Sequence, residues 1–584
     1  MGDASMRHVI QAVAEVLAPA IDASPSDCVA WLEVPPDRSL GDLALPCFRL
    51  ARERKAAPAT IAADLAARVD ALLNRTGGAQ VPIAAATATG PYLNLRLQRG
   101  WAWTYLQDAM AADGYFADRE LAGQIIAVDL SAPNIAKPFA MGHLRSTVIG
   151  TAVCNLLESR GARTERINHL GDWGTQFGKI LVAYARWGDV DAVRANPIAE
   201  LNALYVRFHE QAQDQPALED EARAAFKRLE DGSEEDLKLW RWMVDVSLAE
   251  FNRTYELLGS RFDHNLGESF YNDKMDAVVD ELRAKGLLVE SEGAEVVLLD
   301  DVDLPPCLIR RSDGATLYAT RDLASALYRH RHFHAERLLY VVGGEQRLHF
   351  LQLFAVLRKL GYDFAERCEH VAFGLMRLGG KKMSTRKGQI VRLEEVLQEA
   401  IARARAIIVE KNPGIAEPDA VARAVGVGAV IFNDLKTHRL HDIDFDLESA
   451  VAFDGETGPY VQYAHARACS VLRKAFGVQL ASEDSAAVTW SQAPSVIGAA
   501  EWALQLELLR FPDVRARAAS ERDPSLVAKH ALDVAQAFNR FYHDCPILPA
   551  TGDVRPYRLG LTDACRRVLR ASLDLLGLGH PEEI

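Results

Sequence analysis

Residues 129–147 read DLSAPNIAKPFAMGHLRST, a polar break that joins a strand pattern to a helix pattern. Just upstream, Ile125-Ile126-Ala127-Val128 is a short, mostly β-branched apolar run of the kind that forms a buried strand. A polar turn follows, and Gly142-His143 then opens a helical pattern from Leu144. A strand that feeds a helix through such a turn sets backbone N–H groups and an imidazole at the positive end of a helix dipole, where a phosphate chain would sit. Nucleotide chemistry is the expectation. By spacing alone, a Gly-His pair here is equally an ordinary N-terminal turn.

Outward from this point, strand and helix signals alternate over about 120–180, as in a parallel sheet with crossover helices. Residues before 115 mix helical patterns (9–17, 61–73) with a strand pattern at 91–97, predicting a separate α+β domain. A charge-rich helical stretch over about 190–295 reads as an insertion into the sheet domain. Strand signals resume at 296–299 and 338–342, and beyond about 390 the pattern is almost wholly helical, with one long polar break at 481–487.

At 584 residues the chain is too long for one core. A net charge of −14 argues against membrane or non-specific DNA binding, although a basic groove on an acidic body can still meet RNA. The eight cysteines are scattered without a CxxC pair, so neither a zinc knuckle nor a disulfide framework is expected, which fits a reducing cytoplasm. No segment is apolar enough to span a bilayer, and the N-terminus reads as an amphipathic helix, not a signal peptide.

Two further stretches carry chemistry. Residues 379–388 read GGKKMSTRKG, a cationic run flanked by glycine, suited to delivering charge to a triphosphate but equally a solvated loop. Tyr318 and Asp322 stand four apart on one face of a predicted helix, which is by spacing alone a surface pair.

Residues 131–147 resemble the first signature of the class I aminoacyl-tRNA synthetases in its arginyl form, and Lys382-Met383-Ser384 resembles the second. Two positions depart from the family pattern: Ala140 replaces the first signature histidine, and Thr385 replaces the second lysine of the loop. The resemblance implies catalytic roles for Lys137, Gly142, His143, Lys382, Met383, Ser384, Arg386 and Lys387. Lys137, just ahead of the first signature, is expected to take over the missing lysine's role. Gly142, His143 and Met383 would hold ATP, accompanied by Mg2+. The arginine pocket would be Asp129, Ser131, Asn134, His143, Tyr318, Asp322 and Gln346, with the Tyr318–Asp322 pair on the guanidinium. A fixed carboxylate accepting two parallel hydrogen bonds suits that planar fork. A cysteinyl-type relative would bring zinc ligands, and neither it nor a glutaminyl type would account for Tyr318 with Asp322.

The resemblance also implies an α/β fold: a Rossmann-like catalytic domain over 116–375, an N-terminal α+β domain over 1–115 contacting the tRNA elbow, a signature-loop and stem-contact region over 376–445, and an all-α anticodon-binding domain over 446–584. Tyr460, Tyr463 and Tyr542, interleaved with helical arginines, are the expected base-stacking residues for tRNA(Arg). The implied activity is ATP-dependent ligation of L-arginine to tRNA by a cytoplasmic monomer.

Overall fold

The computed structural model describes residues 6–76, 81–112, 114–311, 318–378, 381–382, 391–477 and 490–584. At its centre lies a five-stranded parallel sheet. Strand β1 (Ile125–Asp129) leads through the turn into helix α1 (Leu144–Glu158) and returns as β2 (Arg163–Asn168). A helical excursion follows, ending in α2 (Glu234–Leu258), and the chain re-enters the sheet as β3 (His264–Asn265). Helix α3 (Tyr318–Phe333), β4 (Arg337–Tyr340), α4 (Arg347–Lys359) and β5 (Cys368–His370) complete it. The strand order is β5-β4-β1-β2-β3. The chain travels one way from β1 and the other way from β4, so the order reverses between these two strands. The carboxyl ends of β1 and β4 therefore flank the crevice where open α/β sheets take their ligands.

The strands are legible because β1 is buried over Ile126, Ala127 and Val128, and Leu338, Leu339 and Tyr340 of β4 pack beside it. The excursion is helical only as far as Leu258; β3 follows, too short for any periodicity to reveal. The strand signal at Val296-Val297 belongs to a separate antiparallel sheet of three strands, not to the parallel one.

Three more regions surround this core. An N-terminal sheet of three antiparallel strands packs with helices such as Arg7–Ile21 and Pro58–Thr76. Helix α5 (Pro418–Leu435) and a short strand, Ile443–Phe445, follow the sheet domain, and the strand pairs with Met376–Leu378. Helices α6 (Gly458–Phe476), α7 (Ser525–Asp544) and α8 (Val554–Leu576) build the C-terminal domain. None of the described helices is long and apolar enough to cross a membrane.

Several arginines interleaved with the C-terminal helices are engaged within the protein, some of them between domains. Arg515 is buried and donates to the carbonyls of Ser159 and Gly114 and to Asp118. Arg566 pairs with Asp563, Arg558 with Glu501, and Arg567 lies over the rings of Phe116 and Trp490.

Candidate active site

The turn between β1 and α1 is held in an unusual backbone. Ser131, Ala132 and Ala136 all have positive φ, at 70°, 51° and 58°. Left-handed non-glycine residues cost about 1–3 kcal/mol each and persist where surroundings over-determine them. Those surroundings are visible. Ser131 N–H donates to Ser146 Oγ at 2.9 Å, Ala136 N–H to Ser247 Oγ at 2.9 Å, and Trp240 Nε1 to the Asp172 carbonyl at 2.8 Å. Helix α2 thus braces the turn from behind. The Ser131 hydroxyl is committed to Tyr255 and Thr147 within the protein.

At the end of the turn, Ala140 contributes through its backbone. Its N–H donates to His143 Nδ1 at 3.1 Å. That bond makes Nδ1 the acceptor and leaves the ring proton on Nε2. Burial, aided by the nearby Lys137 charge and opposed by the Ala140 bond, pushes the His143 pKa down to about 4. The imidazole is therefore a neutral N–H donor at physiological pH. A Cβ built on Gly142 would meet nothing within 4 Å, so packing does not dictate glycine there and the space above the backbone is open.

The first signature is tied to residues 391–393, downstream of the second. Ala140 bridges Arg392, Met141 N–H donates to the Val391 carbonyl at 3.1 Å, and Leu393 N–H donates to the Phe139 carbonyl at 3.0 Å. The chain leaving the second signature is thereby stitched to the first. Arg145 tightens this junction from α1. It is 1% exposed, pairs with the equally buried Asp434 of α5 at 3.1 Å, and donates to the carbonyls of Gly374 and His441 at 2.7 and 2.9 Å. Burial pushes the Asp434 carboxyl up, and Arg145 pulls it back. Lys382 falls in the short strand Lys381–Lys382, while Met383, Ser384, Arg386 and Lys387 lie outside the described residues. Lys137 Nζ stands 5.0 Å from the ring centre of Tyr205, on the helix Pro197–Asp214 of the insertion, and burial lowers its pKa.

Across the crevice, α3 runs antiparallel to the strands, which brings its first turns to the same carboxyl edge as His143. Tyr318 is 63% exposed there. One turn on, Asp322 accepts from His349 Nε2 at 2.6 Å and has His169 Nε2 at 3.9 Å. Burial alone would lift the Asp322 carboxyl, but the His349 hydrogen bond and the neighbouring His169, His349 and Arg329 side chains hold it below the usual carboxylate range. Two turns further along α3, Arg329 pairs with Asp129 at 2.9 Å. Burial opposes the Arg329 charge, and Asp129 more than offsets it. The second oxygen of Asp129, Oδ1, is buried without a protein partner. Gln346 is exposed just after β4, where Gly344 N–H donates to the Phe373 carbonyl at 2.9 Å. Asn134 bridges Gly171 at the floor of the turn. Sequence reasoning missed His349, Arg329 and Arg145; the only signal was spacing, three residues after Gln346, seven after Asp322 and two after His143.

In the C-terminal domain, the Arg467 guanidinium lies 4.7 Å from the Tyr463 ring centre and 5.1 Å from that of Tyr542. All three line a cavity of about 500 Å³ with Arg473 and Lys474. Tyr460 is set apart from them, its hydroxyl accepting from Asn539 at 2.9 Å.

A nucleotide-type turn at the switch point of a parallel sheet, tied to the chain at 391–393, fits a class I aminoacyl-tRNA synthetase. The family model described as tRNA synthetases class I (R), catalytic domain, matches residues 105–447. The arginyl tRNA synthetase N terminal domain matches 7–97, and the DALR anticodon binding domain matches 461–584. The chain belongs to the arginyl-tRNA synthetase family. It is 51% identical over 557 residues to an arginine–tRNA ligase of an Exiguobacterium species, covering 95% of this chain and 96% of the relative. To that of Alkaliphilus metalliredigens it is 44% identical over 582 residues, covering 98% and 99%. Among solved structures, the Thermus thermophilus arginyl-tRNA synthetase aligns with a TM-score of 0.78 at 28% identity, over 98% of this chain and all of that one.

Proposed function

We propose that this chain is an arginine–tRNA ligase, and that the crevice between β1 and β4 is where it works. The carboxylate of arginine attacks the α-phosphorus of ATP, pyrophosphate leaves, and arginyl-adenylate forms. A terminal ribose hydroxyl of tRNA(Arg) then attacks the adenylate carbonyl, and AMP leaves. No covalent enzyme intermediate is needed, so catalysis rests on positioning and charge stabilisation.

One observation carries the reading: Asp322 and His143 open off the same carboxyl edge of one sheet, from helices flanking its switch point. A small cation bound to the first can reach a nucleotide bound to the second. In this reading Asp322 and Tyr318 grip the guanidinium. Asn134, Gln346 and the unpartnered Oδ1 of Asp129 meet the α-amino and carboxylate groups, with Ser131 shaping the turn around them. Gly142 lets the phosphates approach the backbone, and His143 donates from Nε2 as charge shifts onto them. Lys137, Lys382, Arg386 and Lys387 offset the pyrophosphate charge, and Met383 and Ser384 line the nucleotide. Among the described residues no group of three or more His, Cys, Asp or Glu could hold a metal ion. Mg2+ is therefore taken to arrive with ATP, bound by its phosphates.

Tyr463 and Tyr542 are assigned to splayed bases of the anticodon loop, with Arg467 between them; Tyr460 supports the helix beside them. The chain is taken to act as a cytoplasmic monomer. All eight cysteines are free, which fits a reducing compartment. Arginine-dependent ATP–pyrophosphate exchange, run with and without tRNA(Arg), tests the function. Exchange with arginine and none with lysine or glutamine is expected; exchange that ignores arginine under both conditions would refute it.

A further inference from the structure

We propose that His349 is a positioning residue for arginine: donating from Nε2 to Oδ2 of Asp322, it fixes the carboxylate plane that the substrate's guanidinium must meet. This role rests on Asp322 being the guanidinium anchor.

The terminal torsion of an aspartate is broad and roughly two-fold, so an unassisted carboxylate near the start of a helix has no single plane. A guanidinium recognised through two parallel hydrogen bonds requires one. At Asp322 two sides are fixed by different means. On one side runs a rail of paired groups. Asp129 anchors Arg329 at 2.9 Å, and Arg329 lies 3.4 Å from His169 Nδ1. Arginine has only donors, so His169 Nδ1 accepts and its proton sits on Nε2, facing Asp322 Oδ1 from 3.9 Å. That distance is too long for a hydrogen bond, so Oδ1 keeps its acceptor capacity. On the other side, His349 makes the one short side-chain bond among the described residues, 2.6 Å to Oδ2. A carboxylate offers about four lone-pair sites. His349 takes one, and one on each oxygen remains for a bidentate guanidinium.

His349 is well placed for this work. It stands in the first turn of α4, three residues after Gln346, so one helix start sets both side chains. Its ring meets Phe350 edge-on at 5.3 Å. At 24% exposed it borders the pocket and is not a core filler.

Substitutions differing only in reach provide the test. The amide nitrogen of glutamine stands close to the place of Nε2, whereas that of asparagine stands close to Nδ1 and falls short of Asp322. Full-length His349→Gln and His349→Asn are compared in arginine-dependent ATP–pyrophosphate exchange with tRNA(Arg) present, with Asp322→Asn alongside. The expected result is an arginine KM within about threefold of wild type for the glutamine variant and raised about tenfold or more for the asparagine variant. The KM for ATP stays put, and kcat at saturating arginine changes by less than about threefold in both. Equal arginine KM values for the two variants would overturn the proposal, as would a loss falling on the KM for ATP. Should Asp322→Asn itself leave the arginine KM unchanged, the anchor reading falls and the role of His349 falls with it.

Discussion

Gly171→Ala should damage arginine activation through a residue it does not replace. Gly171 N–H donates to the Pro133 carbonyl at 3.0 Å, and Ile135 N–H donates to the Gly171 carbonyl at 3.2 Å. The backbone on both sides of Asn134 is thus tied to residue 171. A Cβ at 171 would overlap Asn134 Oδ1 and stand 3.0 Å from its Cγ and 3.4 Å from its Cα. The backbone cannot retreat without losing both hydrogen bonds, so the amide swings away by about 1 Å. Displacing a substrate-positioning group by that amount can lower the rate about 10²-fold, equivalent to about 2.7 kcal/mol of transition-state stabilisation. The strain of an off-rotamer side chain is smaller, about 0.5–1.5 kcal/mol, so thermal stability changes little. Pyrophosphate exchange at varied arginine and saturating ATP reads the effect, which belongs to kcat/KM for arginine and not to the KM for ATP. The decisive comparison is a cycle with Asn134→Ala. If the amide is what the new methyl displaces, Gly171→Ala adds almost nothing once Asn134 is alanine. Fully additive losses, or an arginine kcat/KM within twofold of wild type in the single variant, would show that the new methyl does not act through Asn134.

Three further outcomes are expected. Asp434→Leu strands Arg145 as a buried, unpaired cation and should cost about 3–5 kcal/mol of stability, most of it recovered in Arg145→Met/Asp434→Leu; a double variant as unstable as the single one in thermal melting would count against the pair. Glu268 is raised to about 7 by burial, with Arg321 opposing and Asp322 and Asp172 adding to the rise. Because the folded-state pKa lies above the ordinary 4.5, its contribution to stability is full below about pH 4.5 and lost as pH rises through about 7. Glu268→Gln should therefore gain on wild type between pH 5 and 8, by up to about 3 kcal/mol, and a pH-independent difference in melting would contradict this. Tyr463→Ala and Tyr542→Ala should each weaken tRNA(Arg) binding by about 1–3 kcal/mol in a filter-binding titration and leave the KM values for arginine and ATP alone, whereas unchanged tRNA affinity would remove both from the interface.

How much of this was legible in the sequence depended on the range of the interaction. The turn over 129–147 was readable because strand, polar break and helix are local patterns with distinct periods, and Tyr318 and Asp322 because a helix places them on one face. The bridge from Ala140 to Arg392 joins residues about 250 apart and leaves no local trace. Arg329 shows the same limit: a charged residue in a helical pattern reads as solvated, and only the fold sets Asp129 opposite it. The C-terminal arginines show the converse limit. Sequence gives their charge and spacing but not their face, and Arg515 faces inward, onto Ser159 and Gly114.

On the proposed reading the crevice accepts a guanidinium and a triphosphate side by side, and its own charges suit both. An imidazolium at 143 would attract the phosphates but repel the incoming arginine. The buried, Ala140-bonded ring is neutral, so it supplies a hydrogen bond without that repulsion. Asp129 would compete for the guanidinium, but a guanidinium, that of Arg329, already pairs with it, whereas Asp322 accepts a hydrogen bond from His349 on Oδ2 and keeps acceptor capacity on both oxygens. Lys137 adds to this: its charge rests on the Tyr205 ring, close enough to depress His143. Residue 140 needs no side chain for this: its backbone N–H alone fixes the tautomer of His143.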